Sequence, residues 1–268
     1  MKELKYLIDL DITRKRQQRA VATYDEAAVV QREVTDRLFE RLEYMLIQPT
    51  TILELGQHVG YGTEKLRKLY PQASLHSQNL VDIYDPQTHA LRLPFDNASQ
   101  SMVIANLVLH WYVEPIAFLQ EIRRVLKSDG VLLFSTMGPD TLRELRSAFA
   151  QIDHTPHVHE FLDMHDLGDQ LQALGFIDPV VDMHSLRVKY ADVLDLFKDL
   201  RHLGANNAHL DRQRGLMGKN KWQKLIQAYR EQTEIVATYE LVFGLAWGIR
   251  QISRDGEVSI PLSSIKSR

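Results

Sequence analysis

The chain has no cysteine among its 268 residues. Disulfides, thiolate nucleophiles and Cys-ligated zinc are thereby excluded, and the composition suits a reducing compartment. No apolar run is long enough to cross a bilayer. The opening MKELKYLIDLDITRKRQQR holds no continuous apolar stretch of the length of a signal-peptide core. A cytoplasmic location, away from membranes, is therefore expected. Internal repeats and low-complexity segments are also missing. So is an excess of charge of one sign: 32 Lys and Arg oppose 35 Asp and Glu, for a formal net charge of -3. The surface as a whole has no attraction for nucleic acid. What remains is ordinary globular material, 44% hydrophobic and 25% charged, enough for one large domain or two small ones.

The order of elements is more informative. Val30, Val34, Leu38 and Leu42 recur at helical spacing within 27–46. Pro49 punctuates the chain, and TTILEL (50–55) is a short apolar run ending at Gly56, which predicts a buried strand and a tight turn. A helix is predicted over 62–70, a weaker strand over 73–80 and a third strand over 101–107. Ile116, Leu119, Ile122 and Leu126 mark an amphipathic helix, and Gly130 opens GVLLFSTM, the clearest buried strand. Pro139 stands where a first-turn helix proline would, ahead of Leu142, Leu145 and Phe149. A further helix stops at Gly175. Strand-like segments follow near 178–190 and 235–245, with two helical stretches between them. Alternation of strand and helix from Thr50 to Gly130 means βαβ units, a parallel sheet and helices on both faces. Ligands then bind at the carboxyl ends of the strands: at 55–61, near Asn79, after Ala105 and at 137–140.

At 52–62 the chain reads ILELGQHVGYG, in which Glu54, Gly56 and Gly60 match the acid and glycine-rich turn that follow the first strand of class I S-adenosylmethionine (SAM) methyltransferases. Alone that pattern is weak. Beyond it, RAVATYDEAAVVQ (19–31), LPFDNAS (93–99), ANLVLHW (105–111), RRVLKSDGVLLFSTMGPDTLRELR (123–146), HVHEFLDMHDLGDQLQALGF (157–176), GANN (204–207), TYELVFGLAWG (238–248) and the closing SIPLSSIKSR give the chain its specific likeness. It resembles the malonyl-acyl-carrier-protein O-methyltransferases of biotin synthesis over essentially its whole length. The resemblance implies a Rossmann-like α/β fold with a seven-stranded, mostly parallel sheet and a helical cap. It also implies a single domain: cap 1–46, core 47–190, helical lid 191–232, last strand and tail 233–268. It implies SAM as cofactor, and as partner an acyl carrier protein bearing a malonyl group.

Three positions depart from the family pattern. The middle glycine of the turn is His58, whose ring competes for space beside the amino-acid part of the cofactor. The acid that holds the ribose is Asn79, a weaker acceptor. The Asp that meets the adenine amine is His89, and the segment from Asn79 to Leu93 is short by about one βα unit. All of these fall on the cofactor side. A second reading therefore stays open: a catalytically impaired relative that binds a carrier protein or another partner without SAM chemistry.

By the resemblance, Glu54, Gly56, His58, Gly60, Asn79, Asn106 and Leu107 surround the cofactor. Arg146 holds the malonyl carboxylate bidentately, Tyr24 closes the cap over the cofactor, and His110 and Trp111 line the cleft. A carboxylate is already a nucleophile, so the chemistry needs a cation and dry positioning rather than a strong base. From the residues alone, Arg143 and Arg146 can equally be a solvated helix face, and Tyr24 and Trp111 can be packing. His154, His157, His159 and His165 lack a carboxylate in register and read as surface or capping histidines, with no metal expected. RKRQQR (14–19) reads as a solvated helix start, or as a patch that steers an acidic carrier protein.

Overall fold

The computed structural model describes residues 8–56, 60–79, 92–231 and 234–248. Ile52, Leu53 and Leu55 are fully enclosed because their strand β1 (Thr51–Gly56) lies between two others. β2 (Ser74–Asn79) and β3 (Gln100–Asn106) both pair with it in parallel. A parallel strand covered on both faces is written as a continuous apolar run, which is what TTILEL spells. β4 (Leu126–Met137) continues the parallel sheet beside β3. β6 (Val236–Trp247) then pairs antiparallel with β4, and β5 (Ile177–Lys189) antiparallel with β6. The strand order is β2-β1-β3-β4-β6-β5.

The sheet has six strands among the described residues, where seven were expected. Residues 80–91, after β2, lie outside the described residues, as do His58, His89 and the closing 259–268.

Three helices precede the sheet: α1 (Leu10–Ala20), α2 (Tyr24–Ala27) and α3 (Val29–Glu43). Then come α4 (Tyr61–Leu69), α5 (Pro115–Val125), α6 (Arg143–Ala150), α7 (Met164–Ala173), α8 (Val193–His202) and α9 (Lys219–Arg230). The inner strands send alternate residues to opposite faces. Ile52, Ile104 and Leu133 pack with α3, α6, α8 and α9, while Leu53, Val103 and Leu132 pack with α5 and α7.

Two local expectations change. The strand predicted to open at Gly130 begins at Leu126, directly after α5, and its pairing with β3 shifts register between Gln100 and Met102. Pro139 is not in the first turn of a helix. The backbone on both sides of it is drawn to the sheet instead: Gly138 N–H donates to the Glu240 carbonyl (2.9 Å) and Leu142 N–H to that of Thr238 (2.7 Å). Helix α6 starts only at Arg143, and the first-turn proline is Pro115 in α5.

Candidate active site

β1 ends at Gly56, held between Asn79 of β2 and Asn106 of β3. Two residues earlier Glu54 is buried, at 4% exposure. Its carboxylate accepts the hydroxyls of Thr63 and Ser77, the latter at 2.9 Å. Burial raises its pKa above the usual carboxylate value, and the two hydroxyl donors oppose that rise. Glu54 thus fastens α4 and β2 to the end of β1. The opening of α4 is shaped for it: a Cβ on Gly62 would collide with a Glu54 carboxylate oxygen and crowd the Phe39 ring at 3.4 Å. Gly60, just ahead, has φ +151°, which side chains rarely adopt. Gly62→Ala is expected to displace Glu54 and to cost about 1–3 kcal/mol, as overpacking of a filled site does. A thermal melt checks this; an unchanged Tm would mean that the carboxylate moves aside freely.

Above this edge lies a cavity of about 300 Å³. Glu54, Gly56, Gly60, Asn106 and Leu107 wall it on the sheet side, and Tyr24, Gln31 and Thr35 close it from the N-terminal helices. Asn106 is locked by its neighbours: its amide N–H donates to Thr35 Oγ1 (2.7 Å) and its oxygen accepts from Ser135 (2.6 Å). Leu107 has φ +53°, a left-handed conformation that is strained for a branched side chain. Its N–H is held by the carbonyl and the hydroxyl of Ser135, both at 3.0 Å. Tyr24 is buried, and burial pushes its phenol pKa up, so the hydroxyl keeps its proton. Asn79 stands at the end of β2, level with Gly56, but does not border this cavity.

A second cavity, of about 330 Å³, adjoins the first; Gln31 and Leu107 line both. Leu142, Leu145, Phe149 and Phe161 make its walls apolar. Leu142 is the second leucine here with a left-handed backbone, at φ +55°. His110 and Trp111 border the cavity, both buried. His110 Nδ1 lies 3.2 Å from Thr136 Oγ1. The Trp111 indole N–H is buried without a partner among the described residues.

The cations of this cavity are not where the sequence pointed. Arg146 borders neither cavity. Its guanidinium donates to three backbone carbonyls, Pro139 (3.0 Å), Thr141 (3.3 Å) and His159 (3.3 Å). Arg16 and Arg212 line the cavity instead. Arg16 donates to the carbonyls of Asn206 (3.1 Å) and Asn207 (2.5 Å), and Arg212 pairs with Asp9 at 3.0 Å. Burial, then the charge of Arg212, lowers the pKa of Arg16 from its high ordinary value. Two guanidiniums close enough to repel share one nearby carboxylate. Such a pair is prepared for an anion. Arg16, Gln31 and Arg212 escaped the sequence reading. Arg16 was hidden in a basic run on a helix, Gln31 in an apolar periodicity, and Arg212 in a loop.

Two histidines here are held neutral. Burial drives His110 down to about 3, with His159 contributing. Burial, then His209 and Arg16, drive His159 down to about 4. The Ala208 N–H donates to His159 Nε2 at 2.9 Å, which requires that nitrogen to be bare. Both folded values lie below the unfolded value near 6.5, so the unfolded chain takes up protons first as pH falls. The full contribution to stability is present above about pH 6.5 and declines on acidification toward pH 3–4. Tm is therefore expected to drop steadily between pH 7 and pH 4.5; a flat profile would show that these rings are not held neutral. Among the described residues, no group of three or more His, Asp or Glu converges as a metal site. His157 is engaged with Asp153 (2.8 Å) and stacks on Phe149. No described helix is long and apolar enough to cross a membrane.

Comparison with known proteins agrees with this geometry. A sequence model described as a methyltransferase domain matches residues 57–134. Among curated relatives, a malonyl-acyl-carrier-protein O-methyltransferase of Laribacter hongkongensis is 42% identical over 85% of this chain and 86% of its own. Malonyl-acyl-carrier-protein O-methyltransferase 1 of Coxiella burnetii is 37% identical over the full length of both chains. That alignment runs over 289 positions against 268 residues here, so the Coxiella protein carries residues that this chain lacks. Among solved structures, a protein of Bacillus halodurans described as a methyltransferase superposes with TM-score 0.51 at 13% identity, covering 79% of this chain and 98% of that one. It shares the fold.

Proposed function

The chain belongs to the malonyl-acyl-carrier-protein O-methyltransferases, and from that premise we propose that it esterifies the free carboxyl of a malonyl group carried on acyl carrier protein, with SAM as methyl donor, in biotin synthesis and in the cytoplasm. One observation carries the reading: a cavity at the carboxyl end of β1 adjoins, across the shared lining residues Gln31 and Leu107, a second, largely apolar cavity lined by two arginines.

The first cavity suits the cofactor. Glu54 ties α4 and β2 to the end of β1, Asn106 and Leu107 are locked in place, and the Gln31 side-chain oxygen is buried without a partner among the described residues. That acceptor stands at the junction and awaits a donor from a ligand. SAM, when bound, supplies a methyl group made electrophilic by its sulfonium.

The protein's own part is positioning. Arg16 or Arg212 neutralises the malonyl carboxylate in a largely apolar cavity, the Trp111 N–H offers a hydrogen bond to the acyl carbonyl, and Tyr24 closes the cap. Leu107 holds the two compartments in register, since alignment of reacting groups is the larger share of such catalysis. His110, neutral and apolar-packed, shapes the wall and carries no charge to the substrate. Arg146 supports the site by tying together the segments around Pro139 and His159.

The decisive experiment combines calorimetry with SAM and S-adenosylhomocysteine with transfer of labelled methyl to malonyl-carrier protein. Binding and transfer are expected. Absence of heat with both nucleosides at high concentration would overturn the proposal and favour the impaired relative.

A further inference from the structure

The residues that open α1 meet the loop ahead of α9, and Arg16 of the basic run donates to the Asn206 and Asn207 carbonyls at the start of that loop. Ile8 bridges to His209, the Asp9 N–H donates to the Ala208 carbonyl (2.8 Å), and Arg212 pairs with Asp9. Helix α1, through Arg16, and the loop 209–218 therefore line the same cavity. From Gln213 to Met217 the loop alternates. Arg212, Gln213, Gly215 and Met217 line the cavity, while Arg214 is exposed and Leu216 is 98% exposed. A single exposed leucine is ordinary on any surface. This one stands between Gly215 and Met217, which line the cavity, on a loop that also holds Arg214 and leads into Lys219, with Lys15 and Arg19 exposed on α1. Asp211 is the one acid in 209–221. On a chain of net charge -3, such a rim is a local concentration of positive charge.

We propose that this rim, made of Lys15 and Arg19 of α1 with Arg214, Leu216 and Lys219, is the docking surface for the acyl carrier protein. The inference rests on the function proposed above and names where the partner sits. The substrate's reactive end must reach the junction at Gln31 and Leu107, so the protein that delivers it covers the cavity's mouth. Carrier proteins are acidic, and the rim is the complement of that charge. Leu216 supplies the apolar centre that an otherwise electrostatic contact needs for a useful lifetime, with charges around it setting the encounter rate. Leu216 itself touches no reacting group.

The test compares two substrates: malonyl-carrier protein, and a malonyl-pantetheine thioester with no protein attached. Leu216→Asp and the pair Arg214→Glu with Lys219→Glu are expected to raise KM for malonyl-carrier protein by about tenfold or more. They should leave kcat/KM for malonyl-pantetheine within about twofold, and carrier binding by the native protein should weaken with added salt. Equal losses on both substrates, or no loss on the carrier, would overturn the surface. Direct binding of malonyl-carrier protein, measured by fluorescence anisotropy, separates this from the larger proposal. Binding that the substitutions abolish, without methyl transfer by the native chain, supports the rim while removing the activity; binding that they leave untouched removes the rim alone.

Discussion

Replacing Arg146 by lysine is expected to lower stability by about 3 kcal/mol and, at working temperature, to impair methyl transfer without selectively raising KM for the malonyl substrate. The reason lies in what the guanidinium holds. Three backbone carbonyls, at Pro139, Thr141 and His159, accept from it, and hydrogen bonds to a charged group contribute about 1.5–3 kcal/mol each. These are not additive, because the three share one side chain. An ammonium keeps the charge but cannot reproduce the planar fork. The carbonyls left behind sit on segments that wall the substrate cavity, where Thr141, Leu142 and His159 are found. A Tm lower by about 6–12 °C would follow for a domain of this size. The resemblance implies the other outcome: a carboxylate-binding residue whose loss raises KM tenfold or more while Tm holds. Thermal melts and steady-state kinetics on the same variant decide between them, and an unchanged Tm with a raised KM would return Arg146 to the substrate.

Arg16→Gln is expected to lower kcat/KM for malonyl-carrier protein by about tenfold to hundredfold, the size of one lost charge-assisted hydrogen bond. KM for SAM should change by less than about twofold. Arg16 lines the substrate cavity and not the cofactor cavity, and Asp9, the carboxylate it shares with Arg212, is bonded to Arg212. Glutamine retains a donor toward the Asn206 and Asn207 carbonyls, so the fold should survive better than with alanine. Removing Arg212 is a less clean experiment, because Asp9 would be left without its cation and α1 would lose an anchor. Should Arg16→Gln weaken SAM and malonyl-carrier protein equally, the residue organises α1 as a whole and does not bind the substrate anion.

Much of this was legible in the order of residues. Buried parallel strands are apolar throughout, so TTILEL and GVLLFSTM announce themselves locally. Helices such as α3 and α5 carry their inward face in a 3.6-residue period. Glu54, Gly56 and Gly60 line one cavity and could be named together because the acid, the end of the strand and the next glycine are neighbours in sequence. Pro139 misled for the opposite reason: its helical reading is local, whereas the backbone on both sides of it is claimed by hydrogen bonds to Thr238 and Glu240, a hundred residues on.

The sequence by itself determined the layered α/β architecture, the edge of the sheet at which a cavity lies, and the family, since all three depend on residue types spaced within one or two elements. Tertiary structure alone decided which charges face the substrate cavity. Arg16, Arg146 and Arg212 are chemically alike in a string of letters. Their roles diverge because folding leaves Arg146 facing three carbonyls and brings α1 against the 209–212 loop, setting two other guanidiniums beside an apolar cavity with a single carboxylate between them. The same long-range packing set His110 and His159 beyond the reach of water and removed their charge at neutral pH. Desolvation is a property of the surroundings, and for these residues the surroundings come from distant parts of the chain.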